Sequence, residues 1–553
     1  MTLRGLVWSL LVVWLLGAVQ ALAGEPLNEL RPGLQSLRQG ELARLEKALG
    51  PLAEQPLYRA DLTIDVAARK IVGQVSLRWT VRGEPLTEVV LQTAPNATHA
   101  DALMLLSATV NGHAAELDHP DPTRTRVKLP AEALVGAVVE LAVRLEARVP
   151  PLPATGVAVA DHAAFSAAPD FMSLVGLLPM VSSSPSNFLV SVSVPRGFTV
   201  VMPGIALGEV PEQHTRVRFT NAVVGSRAFP LFVTRSLEKL SADAGGIGVE
   251  AWVTRAEPRS KVVLEHAVFA ARELDRVLGP YPFKTLRLVE VPLTGGVGGM
   301  AFPGLVTVST TLMSSTTAPA DTLGLPSLKD PEVLEFYGVA LERQLQSLLE
   351  FTVFRQISAQ YAGCLIGSDP LGDPTALEPL AQHLALLLIE RRHGKKAADK
   401  VRESQVKMAY WLWRMVGGAD TAASRPTVAF TSPTHLAGIV AGKAPLLFDA
   451  QRKLLGEDVW EKTLQASVER SRYRGATSKT VTELAAARAP ANARQLELLR
   501  QRWLEELHGD EDVGQRNLAE LFKAGLMPQA NQLDPRSLSV FEALLEQYLA
   551  GRQ

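Results

Sequence analysis

The chain of 553 residues contains a single cysteine, Cys364, so no disulfide can form within it. It also lacks a strong charge of either sign, because 56 lysine and arginine residues oppose 57 aspartate and glutamate residues, which leaves a formal net charge of −1. This balance gives no indication of nucleic acid or of an anionic membrane surface as a partner. Aromatic residues make up only 6% of the chain, but the hydrophobic content of 47% is typical of a globular protein with several cores.

The apolar run at the N-terminus is too short for a comfortable transmembrane helix. It extends from Leu6 to Val19, follows Arg4, and precedes Ala21-Leu22-Ala23, where small residues occupy the positions that signal peptidase reads. The sequence predicts a signal peptide over residues 1–23, cleaved after Ala23, and a protein exported to the periplasm or the extracellular space. An uncleaved N-terminal anchor is the alternative, and no other membrane insertion is expected.

Histidine pairs that bind catalytic metals are missing as well. None of the ten histidines forms a His-x-x-x-His or a His-x-His pair, and no Gly-x-Ser-x-Gly elbow is present. Residues 355–378 nevertheless keep the spacing of a zinc-peptidase site, which needs His-Glu-x-x-His on one helix and a glutamate after eighteen intervening residues. In this chain the frame reads Arg355-Gln356-Ile357-Ser358-Ala359, and Glu378 occupies the last position.

Around this frame the chain resembles the aminopeptidase N family, which are gluzincin metallopeptidases. The matching segments cover most of the chain from about Tyr58 to Ala476. The first is Gly298-Gly299-Met300-Ala301-Phe302, which is similar to the family's Gly-x-Met-Glu-Asn substrate loop, and the second is Gln360-Tyr361-Ala362-Gly363, which is similar to the family's Gln-Trp-Phe-Gly. Asp373 and Glu378 then fall on the family's aspartate and zinc-ligand glutamate. The last is Ala441-Gly442-Lys443-Ala444, which is similar to the family's Tyr-x-Lys-Gly.

The resemblance implies that five functions of the family have been lost. Arg355 and Ala359 replace the two histidine ligands, and a guanidinium has no lone pair to offer and would repel a dication. Gln356 replaces the general base, and an amide has no useful basicity. Ala301 stands where the family has the glutamate that binds the substrate's amino group, and Ala441 where it has the tyrosine that stabilises the oxyanion. No catalytic residue and no cofactor are therefore expected.

Arg355 and Glu378 occupy the first and third ligand positions of the frame. A guanidinium at the first position would lie close to where the zinc would be, and it could substitute for the charge of the metal. The sequence therefore predicts a salt bridge from Arg355 to Glu378. The alternative is that both side chains are solvated on separate helix surfaces.

The hydrophobic pattern predicts a multidomain α+β protein. Leu62 and Ile64 alternate with polar neighbours, as do Val75 and Leu77, which predicts a hairpin that turns near Arg69-Lys70. Together with the resemblance, the pattern predicts four segments after the signal peptide. These are a short helical lead-in over residues 24–55, an N-terminal β-sandwich over 56–235, a thermolysin-like α/β domain with a mostly helical second half over 236–480, and C-terminal helices over 481–553.

Two helices of the second domain can be placed from the sequence. The periodicity from Lys261 to Leu278 predicts an amphipathic helix that ends at Gly279-Pro280. A second helix is expected around residues 341–350.

Three functions remain open. The leading hypothesis is a pseudopeptidase that binds peptide or protein without cleaving it. The alternative is an active metallopeptidase that holds zinc or another metal through a non-standard set of ligands, namely Glu378, Asp373, Asp369 or His383. The third is an architectural protein whose cleft is filled by side chains such as Arg355 and Phe302.

Overall fold

The structure is a computed structural model, and it describes residues 30–152, 164–212, 214–254, 258–293, 298–313 and 331–514. These residues form two compact units. The first comprises residues 30–152, 164–236 and 282–285, and the second comprises residues 237–281 and 286–514. The predicted signal peptide and most of the predicted C-terminal helical segment lie outside the described residues.

The first unit is built mainly of β-strands, and helix α1 at Glu41–Leu49 precedes them. An eight-stranded sheet has the order β13-β14-β11-β1-β2-β8-β4-β5, and two smaller sheets have the orders β12-β15-β10-β9 and β3-β7-β6. The strands are β1 Leu57–Asp65, β2 Lys70–Thr80, β3 Leu86–Gln92, β4 Leu103–Val110, β5 His113–Ala115, β6 Leu117–Asp121, β7 Arg124–Ala133, β8 Val138–Arg148, β9 Phe165–Ala168, β10 Phe171–Leu174, β11 Ser186–Pro195, β12 Thr199–Val201, β13 Ile205–Glu212, β14 Arg216–Ser226 and β15 Phe232–Thr234.

The predicted hairpin is the antiparallel pair β1–β2. Its register places Asp65 opposite Lys70, so the turn falls where the sequence predicts it. Arg69 adopts a positive φ of 53° in that turn. Leu62 and Ile64 are fully buried, which confirms that the alternation marks one buried face.

The second unit begins with a five-stranded sheet of order β16-β17-β18-β20-β19. Its strands are β16 Leu237–Asp243, β17 Gly248–Thr254, β18 Thr285–Val291, β19 Ala301–Phe302 and β20 Leu305–Ser309. Its principal helices are α2 Pro258–Leu278, α3 Pro331–Ser358, α4 Glu378–His393, α5 Lys395–Val401, α6 Met408–Met415, α7 Leu446–Leu455, α8 Glu457–Ser471, α9 Thr480–Arg488 and α10 Ala493–Arg500. The predicted fold class, β-rich first and mostly helical afterwards, is confirmed.

Helix α3 is longer than the sequence indicated. The helix expected around residues 341–350 and the helix of the zinc frame are one continuous helix that ends at Ser358. No proline or glycine lies between residues 339 and 358, so nothing in the sequence interrupts the helix. Within the described ranges, no helix is both long and apolar enough to cross a bilayer.

Candidate functional site

The last turn of α3 positions the residues of the zinc frame. The amide of Ala359 donates to the carbonyl of Arg355 at 2.9 Å, so the helical hydrogen bonding continues one residue past the end of α3. This bond places position 359 one turn beyond position 355, as the i,i+4 spacing requires. The side chain of Gln356 is buried, whereas Arg355 and Ala359 are partly exposed.

Arg355 and Glu378 form the predicted salt bridge. Nη1 of Arg355 donates to Oε1 of Glu378 at 2.8 Å, and the side chains are 24% and 39% exposed. The prediction is therefore confirmed, and the alternative of separate solvated charges is wrong. An exposed ion pair of this kind stabilises a protein by about 0.2–1 kcal/mol. Its larger consequence is positional, because it joins the end of α3 to the first turn of α4.

Glu378 has a second partner on its own helix. Nε2 of Gln382 donates to the same Oε1 at 3.1 Å, one helical turn further on. The other polar atom of this amide, Gln382 Oε1, is buried and has no hydrogen-bond partner, and the same holds for Nε2 of Gln356. They are two of twelve buried side-chain nitrogen and oxygen atoms in the described residues that have no hydrogen bond in this structure.

The glycine-rich segment packs tightly against α3 and β20. A Cβ on Gly298 would lie 2.8 Å from Cγ2 of Thr352, and a Cβ on Gly299 would lie 2.1 Å from the carbonyl oxygen of Thr307. Cγ of Gln356 would lie 3.2 Å from that second Cβ. A side chain at position 299 would collide with the backbone and one at position 298 with the side chain of Thr352, and this close approach brings the segment beside the zinc frame.

Strand β19 ends the sheet within the described part of the chain, and it contains Ala301 and Phe302. The carbonyl of Met300 accepts from the amide of Thr307 at 2.8 Å, and the carbonyl of Gly298 accepts from Ser309 at 2.9 Å. Because alternate residues of a strand direct their backbone groups to opposite sides, Gly299 and Ala301 direct theirs away from β20.

Gln360 fixes the far end of this segment. Its Nε2 donates to the carbonyl of Phe302 at 2.9 Å, and its Oε1 accepts from the amide of Gly304 at 2.9 Å and from the hydroxyl of Tyr281 at 2.8 Å. Burial raises the pKa of the Tyr281 hydroxyl well above its usual value, so the hydroxyl remains a donor. Gln360 thereby links the turn after α3 to β19, a role that its position in a family-like motif did not reveal.

Asp373 organises the connection between α3 and α4. Its Oδ1 accepts from the hydroxyl of Thr375 at 2.9 Å, and its Oδ2 accepts from the amide of Ser478 at 2.8 Å. Asp369 is bonded within the same loop, where its Oδ1 accepts from the amide of Leu371 at 3.1 Å. These contacts assign both carboxylates a role in holding the loop.

This arrangement of a five-stranded sheet, a frame helix and a following helix resembles solved structures of one peptidase class. An M1 zinc metallopeptidase from Deinococcus radiodurans matches with a TM-score of 0.59 and 17% identity over 82% of this chain and 94% of that chain. A mutant of that enzyme matches with a TM-score of 0.60, and a mutant bound to a Tyr-Ser-Ala substrate with 0.56, at the same identity and coverage. No protein-family model and no curated protein sequence matches the chain.

The chain has the fold of the M1 zinc metallopeptidases. At 17% identity the likeness establishes the fold and not the activity. The resemblance to the aminopeptidase N family therefore holds at the level of architecture. The chemistry of this M1 fold has to be derived from its own residues.

The residues at the centre of this M1 fold do not fit a zinc ion. Catalytic zinc needs about three ligands that offer lone pairs, whereas Arg355 offers donors, Ala359 offers no ligand atom, and the carboxylate of Glu378 is already bonded to the guanidinium. Throughout the described ranges, no three histidine, cysteine, aspartate or glutamate side chains converge in a way that could hold a metal.

His383 belongs to a separate hydrogen-bond network. Its Nε2 lies 2.9 Å from Nε1 of Trp460, which can only donate, so Nε2 is the acceptor and Nδ1 carries the proton. Nδ1 then donates to Oδ1 of Asp449 at 2.9 Å. Burial opposes ionisation of Asp449, but hydrogen bonds from His383 and Arg402 outweigh it and lower the pKa of the carboxyl. Both nitrogens of His383 are therefore engaged, and neither is available to Glu378 as a co-ligand.

Ala441 lies in a π-helical segment, Ala437–Lys443, that packs on α6. A Cβ on Gly442 would lie 2.7 Å from the backbone nitrogen of Tyr410, which shows how closely the segments approach. The neighbouring Lys443 is fully buried, and its Nζ contacts Oδ1 of Asp420 at 3.0 Å and the carbonyl of Glu506 at 2.9 Å. This buried ion pair was not predicted, because its members are 23 positions apart and no sequence pattern connects them.

Proposed function

We propose that this chain is an exported M1-fold pseudopeptidase, which binds polypeptide and does not hydrolyse it. The observation that carries the proposal is the hydrogen bond between Arg355 and Glu378 at 2.8 Å. This contact places a permanent positive charge where an active enzyme of this fold would need a metal ligand. A dication and a guanidinium cannot occupy the same place beside one carboxylate.

The remaining chemistry of hydrolysis is missing from the same region. Gln356 carries an amide, which cannot accept a proton from an attacking water at neutral pH. Ala441 offers no donor that could stabilise an oxyanion. A single substitution could be compensated by a neighbour, but the joint loss of ligand, base and oxyanion donor supports a site retained for another purpose.

Polypeptide binding is supported by what the site keeps. Gly298 and Gly299 hold the β19 segment against α3, and Ala301 directs its backbone groups away from β20. A strand edge of this kind can pair with an extended chain.

Export is proposed from the N-terminal sequence alone. The apolar run and the small residues before Gly24 fit a cleaved signal peptide. N-terminal sequencing of the protein recovered from cells checks the expected mature start at Gly24. Recovery of an intact Met1 in the membrane fraction would instead support the uncleaved anchor.

A hydrolysis assay tests the proposal. Purified protein is incubated with added zinc and a panel of aminoacyl-coumarin amides, each with a different N-terminal residue, and coumarin release is followed by fluorescence. We expect no release above that of a Glu378→Ala variant, which serves as the matched control. Release that a chelator stops and that Glu378→Ala abolishes would show that the chain is an active metallopeptidase.

A further inference from the structure

Helix α6 exposes apolar side chains although its sequence is that of a buried helix. Its eight residues, Met408–Met415, include one charged side chain, Arg414, which is bonded to both carboxylate oxygens of Asp510. A helix that is apolar on every side is normally covered on every side. Leu412 is nevertheless 43% exposed, and Val416, directly after the helix, is 58% exposed.

The exposed side chains lie on one face of the helix. Successive residues of an α-helix are rotated by about 100°, so positions i, i+4, i+7 and i+8 share one side. On α6 these positions are all apolar, and we call them the α6 face: Met408, Leu412, Met415 and Val416. The amide of Val416 donates to the carbonyl of Leu412 at 3.2 Å, so Val416 continues the helical geometry. Met408 and Met415 are partly exposed as well.

The other sides of α6 are packed. Tyr410 and Trp411 are buried, and a Cβ on Gly438 would lie 2.6 Å from Cβ of Trp413. The π-helical segment Ala437–Lys443 therefore covers one flank of the helix. The α6 face is the side on which the described residues leave apolar surface in contact with solvent.

The chain leaves the described residues beside this face. Nε1 of Trp411 donates to the carbonyl of Gly514 at 2.9 Å, and Gly514 is the last described residue. Val513 is buried, so the chain is held against the second unit up to this point. Trp411 lies one helical turn from Met415. Residues 515–553 consequently start next to the α6 face.

The sequence after Gly514 contains a matching apolar face. Four large apolar residues have the i, i+3, i+4, i+7 spacing of one helix side: Phe541, Leu544, Leu545 and Tyr548. Ser539 and Glu542 have the spacing of a capping box, and Gly551 is the residue type that commonly follows a helix end. This pattern predicts an amphipathic helix over residues 539–550.

The connection between the two elements favours a contact within one chain. A flexible linker of the length of residues 515–538 has an r.m.s. end-to-end distance of about 25–30 Å, whereas α6 is about 12 Å long. A segment tethered in this way is present at a millimolar effective concentration. A second copy of the chain would have to reach a similar concentration to compete for the α6 face.

We propose that residues 539–550 form an amphipathic helix that docks on the α6 face of the same chain. Phe541, Leu544, Leu545 and Tyr548 then cover the apolar surface, while Glu542 and Glu546 remain in solvent. The occupant of the α6 face is thus the C-terminal segment of the protein itself. This inference is independent of whether the protein hydrolyses peptides.

Thiol labelling tests the docking. Leu412→Cys and Leu498→Cys each place one thiol at a partly exposed position, since Leu498 on α10 is 52% exposed. Reaction with a polyethylene-glycol maleimide is followed by gel shift, and the parent protein corrects for the buried Cys364. We expect the thiol at position 412 to react at least about tenfold more slowly, because labelling then requires the C-terminal helix to undock.

Two changes in the C-terminal segment identify the occupant. Leu545→Glu, added to Leu412→Cys, puts a charge on the apolar side and should restore the labelling rate to that of Leu498→Cys. Glu542→Lys is the matched control, because it changes a charge on the polar side of the same helix, and it should leave the thiol protected. Equal rates for Leu412→Cys and Leu498→Cys, or protection that survives Leu545→Glu, would overturn the inference.

A disulfide provides an independent measurement. The double variant Leu412→Cys, Leu545→Cys is oxidised with glutathione disulfide at low protein concentration, and its peptides are mapped by mass spectrometry. We expect a disulfide between positions 412 and 545 within monomeric protein. A disulfide between two chains, or labelling protection that grows with protein concentration, would assign the α6 face to a second copy and contradict the proposal. Absence of any disulfide would contradict it as well.

Discussion

Nη1 of Arg392 lies 2.7 Å from Nδ1 of His266, and because a guanidinium can only donate, the imidazole is the acceptor. His266 is therefore neutral in the folded protein. Burial, with Arg392 and His393 nearby, lowers the pKa of His266 to about 3. The carboxylate of Glu350, 3.6 Å away, is already paired with Arg392 and His393. This cluster joins α2, α3 and α4, with His266 against Phe354, and it gives the fold a pH dependence.

The first prediction concerns acid stability. Between about pH 6.5 and pH 3 the unfolded chain protonates this histidine and the folded chain does not, so the free energy of unfolding falls as the pH is lowered. The contribution is about 1.4 kcal/mol per pH unit. His266→Gln should flatten the dependence in this window, as measured by urea denaturation at a series of pH values. Exposed His113→Gln is the control, and an equal slope for both variants would contradict the assignment.

The second prediction concerns the glycine-rich segment. Gly299→Ala forces a Cβ to within 2.1 Å of the Thr307 carbonyl oxygen and should destabilise the protein by about 1–3 kcal/mol. Gly475→Ala is the matched control, because the nearest atom to its Cβ would be 3.9 Å away. Thermal unfolding compares the two variants. If both variants unfold at the same temperature, the segment does not approach β20 as closely as the structure indicates.

The third prediction concerns the buried ion pair. The side chains of Lys443 and Asp420 are 0% and 7% exposed, so Lys443→Met leaves a buried carboxylate without its cation. The expected loss of stability is about 3–5 kcal/mol. Lys128→Met, which breaks the exposed pair with Glu116, should change the stability far less, because solvent screens that pair. Chemical denaturation of both variants provides the comparison, and similar losses would argue against burial of Lys443.

The fourth prediction is that zinc binding can be rebuilt. Arg355 and Glu378 already meet at 2.8 Å, and position 359 follows position 355 by one helical turn. In the triple variant Arg355→His, Gln356→Glu, Ala359→His, the new histidines at 355 and 359 would join Glu378 as three ligands, and the variant should bind about one zinc per chain. Arg355→His alone is the control and should bind little. A triple variant without zinc would show that the frame no longer has the geometry of a metal site.

Local sequence patterns predicted the elements that depend on neighbouring residues. The alternation that includes Leu62 and Ile64 predicted the β1–β2 hairpin, and Gly279 marked the end of α2. The Arg355–Glu378 pair could also be predicted, because the spacing of a known frame fixes two positions on facing helices. In each case the relevant physical constraint was local or was carried by the resemblance.

Contacts between distant segments could not be predicted in this way. His383 is 66 residues from Asp449 and 77 from Trp460, and no periodicity records that the three side chains meet. The sequence left His383 open as a metal ligand, whereas the packing of α4, α7 and α8 determines both of its hydrogen bonds. The distant partners of buried polar groups are determined by tertiary packing, so they cannot be predicted from local patterns in one sequence.

The metal content of the mature protein tests the central claim most directly. The protein is purified without chelators, and zinc is measured per chain by elemental mass spectrometry. We predict zinc well below one equivalent per chain, because the guanidinium of Arg355 is already bonded to the carboxylate of Glu378. One tightly held zinc per chain would contradict it.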